Sequence, residues 1–314
     1  MTSKPSRRTF LAATGALALT AASQRRRSAP VTAADRAALD VTPAQVAGTA
    51  RLLPGCCAYS FNGYMRRGAM TLEDFIRWAV RQKLTAVDMT AYYFKSTDPA
   101  YLASLRHLAY RNGLAFSGAA SGATMVQADP ARRQAVLAQI RHWIDVADRL
   151  GAPHLRVFGG KLPAGHSISE GVDWIVETMK PACDYAGERG IMLGVEDHSG
   201  ITQTADVCLE IMHRVNSPWA GINLDITHFL PSADAYAQIE ACVPYATNTH
   251  IRAEFDDKTP IDMDRVWQSF ARAGFKGYMS VEYEPELAQG EDPVTGVPKL
   301  VAEVRRLCAK YASV

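Results

Sequence analysis

The chain has 314 residues, 48% of them hydrophobic and 21% charged, with 34 Lys and Arg against 32 Asp and Glu. That composition excludes a disordered or collagen-like chain, and the length suits one α/β barrel or two smaller domains. A formal charge of +2 argues against generic nucleic-acid binding, which needs a strongly basic face.

Ser6-Arg7-Arg8-Thr9-Phe10-Leu11 precedes a small-residue apolar run from Ala12 to Ala22, the pattern of a twin-arginine export signal. The run is too short to span a bilayer as a helix. Residues 1–22 are therefore expected to be a signal peptide cleaved near Ala22, with the mature protein periplasmic or secreted and carrying no membrane segment. Its removal takes away Lys4, Arg7 and Arg8 and no acid, leaving a near-neutral mature chain. Residues 23–53, rich in Ala, Thr and Pro and including Arg25-Arg26-Arg27, read as a linker or N-terminal arm.

From Pro54 onward short apolar runs alternate with longer amphipathic segments, the pattern of repeated βα units on a parallel sheet. Strands are predicted at Gly55–Tyr59, Ala86–Met89, Leu114–Ser117, His154–Phe158, Met192–Glu196, Gly221–Asp225, Thr247–Ile251 and Tyr278–Glu282. Eight such units match a (β/α)₈ TIM barrel of about 250 residues, a single domain over residues 54–314.

Between the strands, Thr71-Leu72-Glu73-Asp74 opens a helix whose Phe75, Ile76, Ala79 and Val80 form an apolar stripe. Asp129-Pro130 starts another that runs to Leu150 and stops at Gly151, following the rule of Pro in the first turn and Gly after the last. A third runs from Ser169 to Arg189, and Pro298 to Tyr311 is predicted to close the barrel. The six cysteines show no C-x-x-C spacing, and Cys183, Cys208, Cys242 and Cys308 fall in apolar helical patterns as small core residues. No disulfide framework is expected.

The last side chains of parallel barrel strands point into the mouth where ligands bind. The fifth to eighth strands end in Glu196-Asp197-His198, Asp225-x-x-His228, His250-Ile251-Arg252 and Glu282-Tyr283-Glu284. Glu196, Asp225, His250 and Glu282 thus bring three carboxylates and one imidazole to one face. Such an oxygen-rich set favours Mn²⁺ or Mg²⁺, with Co²⁺ or Zn²⁺ as further candidates. His198 and His228 follow proposed ligands by two or three residues and are candidates to orient substrate hydroxyls. Arg156 and Arg252 are candidates to hold a polar or anionic substrate. His107, His142 and His213 lie in helical patterns and read as structural or exposed. Tyr59, Phe61, Tyr64, Tyr92, Tyr93, Phe94 and Phe158 cluster near early strand ends as candidate walls of a sugar site.

The phrases LRVFGG, GVEDHSG, GINLDITHF, THIR and SVEYE resemble, in order and spacing, the fourth to eighth strand ends of the xylose-isomerase-like superfamily of sugar isomerases and epimerases. The resemblance covers nearly all of the chain after Pro54. It implies one divalent-metal site on Glu196, Asp225, His250 and Glu282, and a substrate-contacting role for His228. Many relatives carry His-x-Lys-Asp on the seventh strand, where this chain has Arg252 and Ala253, with Glu254 one place later.

The resemblance implies a metal-dependent isomerase or epimerase that acts on a small carbohydrate through an enediolate, with Glu196 and Glu282 moving the proton. A lyase or dehydratase acting on an oxidised glycoside or polyol shares the first step, and export favours it because a periplasmic enzyme meets glycosides. A non-catalytic carbohydrate-binding barrel is a third reading. An apurinic-site endonuclease of the related barrel type would need more histidine ligands and a basic face.

Overall fold

A computed structural model describes residues 49–229, 234–285 and 290–312; the expected signal peptide and most of the expected arm lie outside them. Eight strands pair in chain order, all parallel, and the eighth closes on the first: β1 (Arg51–Cys57), β2 (Ala86–Thr90), β3 (Ala115–Thr124), β4 (His154–Phe158), β5 (Met192–Glu196), β6 (Ala220–Asp225), β7 (Ala246–Ile251) and β8 (Lys276–Val281). Pairings from Arg51–Lys276 to Cys56–Val281 make the closure. The wall helices are α1 (Leu72–Arg81), α2 (Pro99–Arg111), α3 (Pro130–Leu150), α4 (Ile168–Gly187), α5 (Ala205–Val215), α6 (Ala235–Cys242), α7 (Met263–Arg272) and α8 (Pro293–Tyr311). The chain is a (β/α)₈ TIM barrel.

The predicted strands all form, with shifts at β1 and β3; β3, predicted over Leu114–Ser117, runs on to Thr124. β1 starts at Arg51, before Pro54, and the residues after Cys57 turn into a short 3₁₀ helix over Ala58–Phe61. Proline interrupts a central strand by removing a donor. Here the pairing with β2 begins only at Gly55–Ala86, and the Pro54 carbonyl accepts from the Thr85 N–H at 2.9 Å. Pro54 therefore precedes the β2 ladder, which opens at Gly55.

Helix starts follow the sequence closely. Thr71 and Asp74 form a reciprocal capping box on α1, and Phe75, Ile76 and Ala79 are fully buried behind it while Val80 packs at the edge of the core. Burying a side chain the size of Phe75 or Ile76 contributes about 1.5–3 kcal/mol. Asp129 caps α3, which ends at Gly151 with φ of 81°, a left-handed turn that glycine adopts without strain. α4 starts from a Ser167–Glu170 capping box. α8 begins at Pro293 behind an Asp292 cap, five residues before the predicted start at Pro298.

All six cysteines are free and buried. No described helix is long and apolar enough to cross a membrane. The barrel interior is unusual in its polarity, since Asp88, His154, Arg156, Asn223, Asn248 and Ser280 are all nearly inaccessible to solvent there.

Candidate metal centre and active site

Four neighbouring strands deliver the four candidate ligands. Glu196 is the last residue of β5, Asp225 the last of β6, His250 the penultimate residue of β7, and Glu282 follows β8 directly. One donor atom from each lies within 4.8 Å of the others, and all four side chains are buried. His250 Nδ1 stands between two of the carboxylates, 2.9 Å from Glu196 Oε1 and 3.2 Å from Glu282 Oε2.

Two arginines complete the cluster. Arg156 donates to Glu196 Oε2 at 3.1 Å, and Arg252 reaches Asp225 Oδ2 at 2.7 Å and Glu282 Oε2 at 3.3 Å. Burial alone would raise these carboxyls. Against that burial, Arg156 and His250 hold Glu196 down at about 2, His250 and Arg252 hold Glu282 low, and Arg252 and His228 hold Asp225 low. The surrounding carboxylates, Glu282 foremost, outweigh burial at His250 and push its ring well above the ordinary value. A metal-bound imidazole must offer a lone pair, so an ion and a proton compete for Nδ1 and affinity falls with acid.

Beneath the ligands lies a polar layer that the sequence reading missed. Asn223 donates to Glu196 Oε1 at 2.9 Å, Asn248 donates to Asn223 Oδ1 at 3.1 Å and to Asp88 Oδ2 at 2.8 Å. Asp88 Oδ2 is 3.7 Å from His250 Nε2. At that distance Asp88 is an ionic neighbour of the ring and not a hydrogen-bond partner of Nε2. Strand alternation carries the signal, because Asn223 and Asn248 each precede a ligand by two residues and so face the same interior. Asp197, one residue out of phase with Glu196, points the other way and accepts from the Asp225 N–H at 2.7 Å. Burial, with the Asp225 charge added, raises the Asp197 carboxyl well above its ordinary range.

His154 lies one layer lower, with Nε2 3.1 Å from Thr247 Oγ1. A Cβ on Gly194 would overlap its ring, so the glycine on β5 makes room for the histidine on β4. Burial lowers His154 to about 4. The unfolded chain protonates this ring near the ordinary value of about 6.5, so between those values it binds a proton that the native state refuses. Stability therefore falls as pH drops from about 6.5 to about 4, by about 3 kcal/mol from this group. Urea unfolding of the wild type and His154→Gln at pH 7 and pH 4.5 checks this: the wild type is expected to lose more stability on acidification than the variant.

Above the ligands, a small cavity of about 100 Å³ is lined by Tyr59, Tyr92, Arg156, Phe158, Glu196, His198, Arg252, Glu282 and Glu284. His198 packs against Phe158 and His228, with centroids 4.9 and 4.3 Å away, and the Arg156 guanidinium lies 3.9 Å over the Phe158 ring. His228 Nδ1 is 2.8 Å from Asp256 Oδ2, and its Nε2 is 3.2 Å from Arg252. All four candidate substrate residues thus gather near the ligand set. Of the candidate aromatic walls, only Tyr59, Tyr92 and Phe158 line this cavity. Phe61 packs on Phe75 and Trp78, Phe94 on Trp143, and Tyr64 bonds Asp292. A second, larger cavity of about 630 Å³ adjoins it, sharing Arg252, Glu282 and Glu284 and extending to Tyr283, Lys299 and Leu300.

A divalent ion fits this donor set. Atoms sharing an ion at about 2.0–2.3 Å lie at most about 4.6 Å apart, so donors already within 4.8 Å of one another need only small inward shifts.

Residues 76–305 match the model of the xylose isomerase-like TIM barrel family. The chain belongs to this family. No curated protein sequence matches it. Among solved structures, the D-allulose 3-epimerase of Methylomonas sp. in complex with D-allulose is 19% identical, with 84% of this chain and 100% of that one covered at a TM-score of 0.64. The D-psicose 3-epimerase of Clostridium cellulolyticum H10 with D-tagatose is 12% identical over 83% and 100%, TM-score 0.68. The probable 3-DHS dehydratase AsbF of Bacillus anthracis is 16% identical over 81% and 98%, TM-score 0.63. At these identities the likeness is one of fold.

Proposed function

We propose that this member of the xylose isomerase-like family is a divalent-metal-dependent isomerase or epimerase of a small keto sugar. The observation that carries the reading is the convergence of Glu196 and Glu282, from β5 and β8, on one His250 nitrogen at 2.9 and 3.2 Å. Glu196, Asp225, His250 and Glu282 would hold the ion, Mn²⁺ or Mg²⁺ by the oxygen-rich donor set. Bound there, it supplies polarisation of a substrate carbonyl and neutralises the charge that develops as the neighbouring carbon loses a proton. Glu196 and Glu282 approach that carbon from different sides, so one removes the proton and the other returns it. Arg156, His198, His228 and Arg252 orient the substrate's oxygens in the mouth.

A second reading, elimination from an oxidised glycoside, is favoured by the 630 Å³ cavity beside the mouth, which gives a leaving group somewhere to lie. Keto sugars and oxidised glycosides incubated in deuterated water with Mn²⁺ separate the readings. Deuterium in an epimer or isomer supports the first, an unsaturated product with released aglycone supports the second, and no exchange with any substrate leaves a carbohydrate-binding barrel.

We also propose export by the twin-arginine route, resting on Ser6 to Leu11. Replacing Arg7 and Arg8 together with Lys is expected to strand the protein in the cytoplasm on fractionation; unchanged export would remove the assignment.

A further inference from the structure

Cys57 ends β1 and is paired in register with Asp88 of β2, so its side chain faces the barrel interior beside the candidate ligands. Its Sγ is fully buried, 3.7 Å from Glu282 Oε1 and 3.6 Å from Thr90 Oγ1. Donor atoms of Cys57, His250 and Glu282 lie within 4.8 Å of one another, a second set that shares two members with the first. Cys56, one residue earlier on the strand, turns toward Ser60 instead. Cys183, Cys208, Cys242 and Cys308 lie on wall helices among the apolar core.

A second observation points to a missing partner at this place. His250 Nε2 and Asp88 Oδ1 are buried polar atoms without a hydrogen bond. Buried polar atoms are nearly always satisfied by protein, water or an ion.

We propose that Cys57 is an additional donor of the centre, giving it a sulfur ligand for thiophilic divalent ions such as Zn²⁺, Co²⁺ or Cd²⁺. The inference rests on the reading of Glu196, Asp225, His250 and Glu282 as a metal centre. Ligation breaks the S–H bond, forms a bond from sulfur to the ion and releases the proton to solvent. Soft thiolate favours these ions, whereas Mn²⁺ and Mg²⁺ prefer the carboxylate oxygens. The consequence is a centre whose metal choice is set by the side chain at position 57, with hard and soft ions drawing on overlapping donor sets.

The test is cobalt and cadmium binding to the metal-stripped, reduced full chain under anaerobic conditions. Wild-type protein with Co²⁺ is expected to show a sulfur-to-cobalt charge-transfer band in the near ultraviolet. Cys56→Ser is expected to keep that band and Cys57→Ser to lose it, with the Cd²⁺ over Mn²⁺ preference falling about tenfold or more in the latter. Cadmium-113 NMR of the wild type reports a sulfur ligand directly, so the outcome does not depend on the variant folding. Co²⁺ bound without the band, a band that persists in Cys57→Ser, or a cadmium shift of oxygen and nitrogen ligation alone would overturn the proposal while leaving the four-residue centre standing. A chain that binds neither Mn²⁺ nor Co²⁺ would remove both.

Discussion

Glu282→Gln, saturated with Mn²⁺, is expected to turn over its substrate about 10²–10⁴-fold more slowly than the wild type, the usual contribution of a positioned general acid or base. The amide keeps the shape of the carboxylate and a coordinating oxygen but cannot take up a proton. Arg252 Nη2 at 3.3 Å and His250 Nδ1 at 3.2 Å keep Glu282 ionised against its burial, the form that can accept a proton. The same substitution weakens metal binding, so occupancy must be measured beside the rate. A fully loaded variant with wild-type turnover would exclude Glu282 from proton transfer.

Arg252→Ala is expected to be the most damaging single change to stability. The guanidinium is buried and lies within 4 Å of four carboxylates: Asp225 at 2.7, Glu282 at 3.3, Asp256 at 3.5 and Glu284 at 3.6 Å. Removing one partner from a buried ionic network leaves charge without compensation and costs about 3–5 kcal/mol. Urea unfolding without metal measures that loss. Mn²⁺ is expected to restore part of it, since an ion that binds only the native state stabilises it by mass action. Arg252→Lys retains the charge and is expected to recover more stability than Arg252→Ala, but one ammonium cannot span partners that a planar fork reaches together. An Arg252→Ala variant as stable as the wild type in the absence of metal would show that the network is not what holds these carboxylates together.

The barrel was legible in the sequence because most strands are short apolar runs at regular spacing, and several helices carry start or stop signals, such as Thr71-Asp74, Asp129-Pro130 and Gly151. Pro54 misled because a proline is costly in a strand only where its missing N–H would have joined a ladder, and the β2 ladder begins one residue later, at Gly55. The early start of α8 was readable in Asp292-Pro293, the same pair of residue types that opens α3 as Asp129-Pro130. Gly296 and Pro298 behind it disguised the first turns. Glu196, Asp225, His250 and Glu282 stood out because a charged residue ending an apolar run is visible in one dimension.

The supporting residues did not stand out, for a physical reason. Asn248 meets Asp88 across 160 positions and Asp256 meets His228 across 28, contacts made by barrel closure and by loops folding over the mouth. Neither is encoded by local pattern. Asn223 was within reach, since it sits two residues before Asp225 and shares its face. Cys57 was hidden by the misplaced first strand, which put it mid-strand when it is in fact the last residue of β1.

The central claim, that four strand ends hold one divalent ion, is tested most directly by an anomalous difference map from crystals of the protein grown or soaked with Mn²⁺. The account predicts one strong peak within about 2.0–2.5 Å of oxygens from Glu196, Asp225 and Glu282 and of His250 Nδ1. A map with no peak at the barrel mouth under saturating Mn²⁺, or a peak that any of these four side chains turns away from, would contradict it.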